Sequence, residues 1–151
     1  MIRPYNPKDL TQILPIAEQF HQESASSYVP FNPHKVAHQL ELTLSNPEQR
    51  VCWVAELDGE IIGSFYGVIT PHYFADALMS NDLWWYVSPD HRGGTYGIKL
   101  LKKYISWANI QGVEEIGITV GSGIEIEKTS AMLERVGFEK TQIALKMKGE
   151  F

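Results

Sequence analysis

Between Trp84 and Leu101 the chain reads Trp-Trp-Tyr-Val-Ser-Pro-Asp-His-Arg-Gly-Gly-Thr-Tyr-Gly-Ile-Lys-Leu-Leu, and no other stretch constrains the fold as much. Trp84 to Val87 are the large aromatic and β-branched side chains that suit a pleated, half-buried strand. Pro89 stops that strand, because it has no N–H to give to a ladder. Gly93, Gly94 and Gly97 follow, and from Ile98 the apolar residues Ile98, Leu101, Ile105 and Ala108 fall on one stripe flanked by Leu100, Tyr104 and Trp107. That spacing has the period of a helix. The stretch is therefore strand, tight turn, helix. A glycine turn that opens a helix presents unpaired backbone N–H groups at the positive end of the helix dipole, where phosphate binds. Glycines there let an anion come close to the backbone, and Arg92 adds a fixed positive charge at the rim.

A length of 151 residues implies one domain over residues 1–151. Hydrophobic residues make up 44% and charged residues 21%, ordinary for a soluble globular chain with a sizeable core. The net charge of −5 gives no bulk attraction to nucleic acid or to an anionic membrane, so neither is expected as a partner. A cationic amine is compatible with it. Cys52 is the single cysteine, which excludes an internal disulfide framework and fits a reducing compartment. No apolar run approaches the roughly 20 residues that span a bilayer, and Met1-Ile2-Arg3-Pro4-Tyr5 has no apolar signal region. A cytoplasmic protein is the expectation.

Ile2 to Tyr5 reads as a short edge strand. Asn6-Pro7 and Asn32-Pro33 each read as helix cap plus first helical residue. The first helix runs to about His21, with a kink or break expected at Pro15. The second ends at Ser45-Asn46-Pro47, and the segment from Ser24 to Pro30 reads as a loop. Val51 to Leu57 and Glu60 to Thr70 form a hairpin about Asp58-Gly59, with Gly63 and Gly67 marking a bulge or close packing. Pro71 to Ser80 reads as a loop holding His72 and Tyr73. After the glycine turn the helix ends near Gly112, Glu115 to Val120 is a strand, and Ile124 to Val136 is a helix closed by Gly137. Phe138 and then Gln142 to Met147 read as a final strand or strand pair. The order is β-α-α-β-β-β-α-β-α-β, an α/β chain with a mixed sheet, antiparallel first and parallel near the glycine turn.

Val87-Ser88-Pro89 followed by Arg92-Gly93-Gly94-Thr95-Tyr96-Gly97 resembles the acetyl-CoA-binding signature of the GNAT (GCN5-related) N-acetyltransferase family. In that signature an Arg or Gln is followed after two residues by Gly, one further residue, and Gly or Ala. Arg92 and Gly97 match, while Thr95 stands in place of the first Gly. The element order matches the GNAT-like acyl-CoA N-acyltransferase fold along nearly the whole chain. The resemblance implies acetyl-CoA as cosubstrate, its pantetheine arm against the backbone of Trp85, Tyr86 and Val87, and its pyrophosphate on the turn formed by Arg92, Gly93, Gly94, Thr95, Tyr96, Gly97 and Ile98. It implies direct transfer of acetyl to a primary amine in a ternary complex, the amine belonging to a small molecule or a peptide.

Such an amine must lose a proton, and Asp82, just before the motif strand, is the best-placed carboxylate for a base, with Glu56 behind it. An acidic side chain at a strand start is more often simply solvated. His72 and Tyr73 are candidate acceptor contacts, though ordinary loop surface suits them as well. Many members of the family carry a Tyr four residues before a Gly-Phe pair, as proton donor to the thiolate. Here Gly137-Phe138 match but that position is Leu133, leaving water, Tyr96 or Ser122 as the acid. His34 and His38 have metal-site spacing without a supporting carboxylate motif, and no metal is expected. One of Trp84 and Trp85 faces away from the other, because strand side chains alternate, and is a candidate to line the substrate cleft. The alternative reading is a CoA-binding module of weak activity that acts as a sensor or partner-binding protein. The free edge of the last strand leaves room for a homodimer.

Overall fold

The computed structural model describes residues 1–120 and 125–149. Its elements run β1 (Ile2–Pro4), α1 (Leu10–Glu23), α2 (Pro33–Ser45), β2 (Arg50–Leu57), β3 (Glu60–Pro71), β4 (Leu78–Val87), α3 (Tyr96–Ile110), β5 (Glu115–Ile116) and α4 (Ile126–Val136). The five strands form one sheet in chain order. Each neighbouring pair is antiparallel except β4 and β5, which are parallel. That is the mixed sheet expected of the sequence.

Local chemistry accounts for most of the boundaries. The Asn6 side chain accepts from Lys8 N and Asp9 reaches back to Asn6 N, a capping box on a 3-10 turn that leads into α1. The Asn32 side chain accepts from His34 N and Lys35 N at the start of α2, an interaction worth about 0.5–2 kcal/mol. Asp58 and Gly59 both take positive φ, 51° and 79°, as a two-residue hairpin of twisted strands requires. Pro15 does not break α1, which is continuous from Leu10 to Glu23. It sits in the second turn and removes one backbone bond, and the helix stays anchored by Ile13, Ile16 and Ala17, which are buried.

Three expectations change. The loop after β3 is shorter than Pro71 to Ser80, because β4 begins at Leu78 and pairs with Pro71. The strand after α3 is ordered only as Glu115–Ile116, not to Val120, because β4 pairs with it over two positions. Gln142 to Met147 forms no strand, since no neighbouring strand offers it a ladder. Gly121 to Gly123, including Ser122, and the expected helix start at Ile124 lie outside the described residues.

The sheet separates two apolar layers. Helices α1 and α2 cover one face with Ile13, Ile16, Leu40, Val54, Tyr66, Trp84 and Tyr86. The other face carries α3 and α4, with Phe65, Leu100, Leu101, Tyr104 and Leu133 at its centre. Phe65 and Tyr104 stack there at 4.5 Å, a pairing worth about 0.5–1.5 kcal/mol beyond the area it buries. Among the described residues no helix is long and apolar enough to cross a membrane.

Candidate active site

The central feature is a fork between β4 and β5. At its closed end Met79 pairs with Glu115 and Ser80 with Ile116, and Gly117 N donates to Ser80 O at 2.8 Å. The Tyr104 hydroxyl from α3 bolts this end. It donates to Gly117 O at 2.7 Å and is hydrogen-bonded to Ser80 Oγ at 2.9 Å. Two residues further on, Thr119 N bonds to the side chain of Asp82 (Oδ1, 2.8 Å) instead of a β4 carbonyl. A carboxylate has been inserted where the ladder would continue. From Asp82 to Val87, β4 is paired with β3 on one edge, and no described strand lies on the other.

A bulge in β4 sets where its side chains go. Tyr66 pairs with Trp84 and Gly67 with Asp82, so Leu83 is the extra residue. The bulge resets the alternation. Trp84 and Tyr86 join the layer under α1 and α2, and Trp85 and Val87 the layer under α3. Leu83 and Trp84 both line a groove of about 230 Å³ walled by Phe20 and His21 of α1, Phe31 of the α1–α2 loop and Lys35 of α2. The two tryptophans therefore face apart, and Trp84 meets the cleft with its indole N–H bonded to Ser64 Oγ at 3.0 Å. Glycines let β3 lie this close to β4 and to α3. A Cβ at Gly63 would stand 2.9 Å from Tyr86 O, and one at Gly67 would stand 3.0 Å from the Tyr104 ring.

At the open end β4 runs into the glycine turn. Pro89 to His91 make a 3-10 turn, Gly93 takes φ +86°, and α3 starts at Tyr96. Thr95 is the residue before the helix, and its hydroxyl does not cap it. The first-turn amides of α3 accordingly keep the unpaired character common to helix starts. Trp85 Nε1 donates to Gly97 O at 3.1 Å, fixing the first turn of α3 against the strand. A Cβ at Gly97 would meet Trp85 and Val87 at 3.8 Å, ordinary contact, so the fold itself does not demand glycine there. Arg92 turns back under the loop. Its Nε donates to Val87 O at 2.7 Å, its Nη2 pairs with Glu23 at 2.9 Å, and its guanidinium lies over the Tyr86 ring.

Asp82 is half-buried at the fork. Burial pushes its carboxyl up to about 6, against the opposing pull of the Thr119 amide. It is a carboxylate poised to exchange protons near neutral pH. Leu133 is buried under α3 and offers no proton. Tyr96 opens α3, its ring 6.4 Å from that of His91. Glu56 lies on β2 and is taken by Arg3 Nε at 2.8 Å, away from the fork. His72 and Tyr73 lie in the β3–β4 loop, nine residues of strand from Val87, or about 30 Å at ~3.3 Å per residue. The structure does not bring them to the turn. His72 pairs with Glu115 at 3.6 Å, and Tyr73 is exposed. Cys52 is fully buried and hydrogen-bonded to Ser64, and burial pushes its thiol up to about 12, so it is no nucleophile.

Sequence reasoning did not find Ser80, Tyr104 or Leu83 as parts of the site. A tyrosine in an apolar helical stripe was the available signal for Tyr104, since a buried hydroxyl requires a partner. Nothing local marked the bulge at Leu83.

Residues 16–138 match the sequence model described as the Acetyltransferase (GNAT) family. No curated protein sequence matches the chain. Among solved structures, the chain is similar to AAC(6')-Iy in complex with the bisubstrate analog CoA-S-monomethyl-acetylneamine, with a TM-score of 0.77 at 17% identity, covering 100% of this chain and 98% of that one. Aminoglycoside antibiotic 6'-N-acetyltransferase AAC(6')-IG from Acinetobacter haemolyticus gives 0.74 at 16%, covering 100% and 99%. Glucosamine-6-phosphate N-acetyltransferase from Arabidopsis thaliana gives 0.77 at 13%, covering 99% and 98%. At these identities the likeness is one of fold.

Proposed function

The chain belongs to the GNAT acetyltransferase family, and from that premise we propose that it transfers acetyl from acetyl-CoA to a primary amine of a small molecule. The observation that carries the reading is the fork, an open β4 edge from Asp82 to Val87 that leads directly into an uncapped helix start. In this reading the pantetheine arm lies along the open β4 edge at Trp85, Tyr86 and Val87, where Arg92 Nε already takes Val87 O. The pyrophosphate rests on the amides from Gly93 to Ile98, where the helix dipole and the absence of side chains favour it. Arg92 works indirectly, by holding the turn against Val87 and Glu23.

The acceptor enters through the groove under α1 and α2, its apolar part against Phe20, Phe31, Leu83 and Trp84. A small-molecule amine is also in keeping with the names of the similar structures, which include aminoglycoside and glucosamine-6-phosphate N-acetyltransferases. The neutral amine attacks the thioester carbonyl. The C–N bond forms, the carbonyl oxygen becomes an oxyanion held by β4 amides, and the C–S bond then breaks. Asp82 takes the proton lost by the amine, through water, and releases it to solvent. The CoA thiolate, with an intrinsic pKa of about 8–9, leaves without strong acid help and takes its proton from water. Leu133 is thereby compatible with turnover.

A second reading, a CoA-binding module with little catalysis, is favoured by the absence of a hydroxyl at Leu133. One experiment separates the two. Calorimetric titration with acetyl-CoA and CoA, against ATP and NAD as controls, tests the site, and thiol release with a panel of small amines tests turnover. Selective CoA binding with thiol release supports the enzyme. Binding without release from any amine supports the module, and no CoA binding by folded protein overturns both.

A further inference from the structure

From Ser24 to Leu40 the chain has no acidic residue, although Asp and Glu make up 18 of its 151 residues and the net charge is −5. That stretch is the α1–α2 loop and the first part of α2, and it forms one wall of the groove beside β4. Phe20, Phe31, Leu83 and Trp84 give the groove an apolar body. Three of its lining side chains are polar, and two of them are already committed. The Asn32 side chain caps α2 through His34 N and Lys35 N. His21 Nε2 donates to Val29 O, and its ring packs against Phe31 with centroids 5.8 Å apart. The third is Lys35, the only formally charged residue among the described lining residues. Its ammonium makes no ion pair and no side-chain hydrogen bond among the described residues. The positions three and four away on the helix hold Phe31, Asn32, His38 and Gln39, so none can neutralise it. A cation in the first turn of a helix is also opposed by the helix dipole, so α2 gains nothing from it.

We propose that Lys35 sets the class of acceptor: a small primary amine with an apolar, ring-sized body and one carboxylate that pairs with the Lys35 ammonium. The inference rests on the acyl-transfer reading of the fork and narrows its acceptor. Size limits the body. The groove holds about 230 Å³, below the ~300 Å³ at which sites for drug-sized ligands begin. The aromatic side chains of its walls favour a flat ring between them. The two ends of the acceptor are set by the two walls. Leu83 follows Asp82 in β4, so the amine faces β4 and the carboxylate faces α2. One ammonium answers one carboxylate, whereas a phosphate dianion would leave a charge unanswered. A polyamine is disfavoured twice, because the wall offers its extra ammonium groups no carboxylate and Lys35 repels them. On this point the chain departs from the aminoglycoside acetyltransferases whose fold it shares.

Four matched probes test it: phenethylamine and its para-substituted forms bearing a carboxylate, a phosphate or an aminomethyl group. Binding is followed through the Trp84 indole N–H resonance, with and without CoA, and turnover through thiol release from acetyl-CoA. The carboxylate probe should bind about fivefold tighter than phenethylamine, the scale of an ion pair at a partly exposed lysine. The phosphate should bind no tighter than the carboxylate, and the diamine should bind weakest. Lys35→Gln should level the carboxylate probe with phenethylamine, and Lys35→Glu should reverse the order in favour of the diamine. Lys35 is exposed, so both variants should keep the wild-type melting temperature. Equal binding of the carboxylate probe and phenethylamine, an advantage that survives Lys35→Gln, a tighter phosphate, or no binding by any probe would each overturn the proposal. The two readings fail separately. Binding that follows the charge at position 35 without thiol release keeps the groove's preference and removes acyl transfer. Thiol release indifferent to that charge keeps acyl transfer and removes the preference.

Discussion

The two halves of β4 differ although they are one strand. From Leu78 to Asn81 it is hydrogen-bonded to β3 on one edge and close to β5 on the other. From Asp82 to Val87 it is paired on the β3 edge. The closed half is held by a buried tyrosine hydroxyl, and the open half begins where a carboxylate takes the Thr119 amide. The difference shows how a parallel pair can be ended without a proline or a charge repulsion. One side chain satisfies the Thr119 backbone donor where the strands part. In the proposed reading the closed half makes structure and the open half makes the site.

The strongest test of that division is at the open end. Gly97→Glu leaves room for its Cβ but places a carboxylate on the helix start. Acetyl-CoA affinity should fall at least 100-fold, about 2.8 kcal/mol, with the melting temperature nearly unchanged, read by calorimetry and thermal unfolding. Retained affinity would move the nucleotide elsewhere. At the fork itself, Asp82→Asn keeps an acceptor for Thr119 N yet removes the proposed base. Expected is a fall in kcat of about 100-fold or more with acetyl-CoA affinity preserved. The wild-type acid limb of kcat/KM should inflect near 6, with rate rising with pH as the carboxyl loses its proton, and Asp82→Asn should lose that limb.

The same residue predicts a stability slope. The folded protein holds the Asp82 proton to about 6, above the ordinary 3.8, so it binds more protons than the unfolded chain between those values. Stability should fall as pH rises through that window and the slope should lessen in Asp82→Asn, measured by urea unfolding at several pH values. In the closed half, Tyr104→Phe strands the Ser80 hydroxyl and the Gly117 carbonyl. It should cost about 1–3 kcal/mol of stability and lower CoA affinity little. A loss of affinity larger than the loss of stability would mean that the closed end also shapes the nucleotide site. The smallest effect is expected at the far end of the strand. His72→Ala removes a half-buried ring that lies 3.6 Å from the exposed carboxylate of Glu115 and should change stability by less than about 1 kcal/mol and leave the acceptor KM alone. A raised KM would bring that loop into the acceptor site.

Much of this was legible in the residues. Trp84 to Leu101 read correctly as strand, turn and helix, because each step there is local chemistry: β-branched and aromatic residues, a proline stop, glycines, and a 3.6-residue stripe. The caps at Asn6 and Asn32 and the hairpin at Asp58-Gly59 are local too. The extent of β4 was not, since Leu78 to Asn81 are made into strand by their neighbours on β3 and β5 and not by their own propensity. The same reason removed the final strand. Gln142 to Met147 carry a strand's alternation, and a ladder needs a partner that the single chain does not supply.

The candidate site divides along the same line. Its glycine turn and its family signature are properties of consecutive residues, so the sequence by itself determined them, together with the element order as far as α4, the mixed sheet and the place of Asp82 beside the motif. Tertiary structure alone decided that Leu83 bulges, that Trp84 and Trp85 part to opposite layers, that Tyr104 bolts the closed end, and that Arg92 is spent on Val87 and Glu23. Each of these joins residues far apart in the chain. The energy that selects them comes from hydrogen bonds and packing between elements, which no periodicity within one element records.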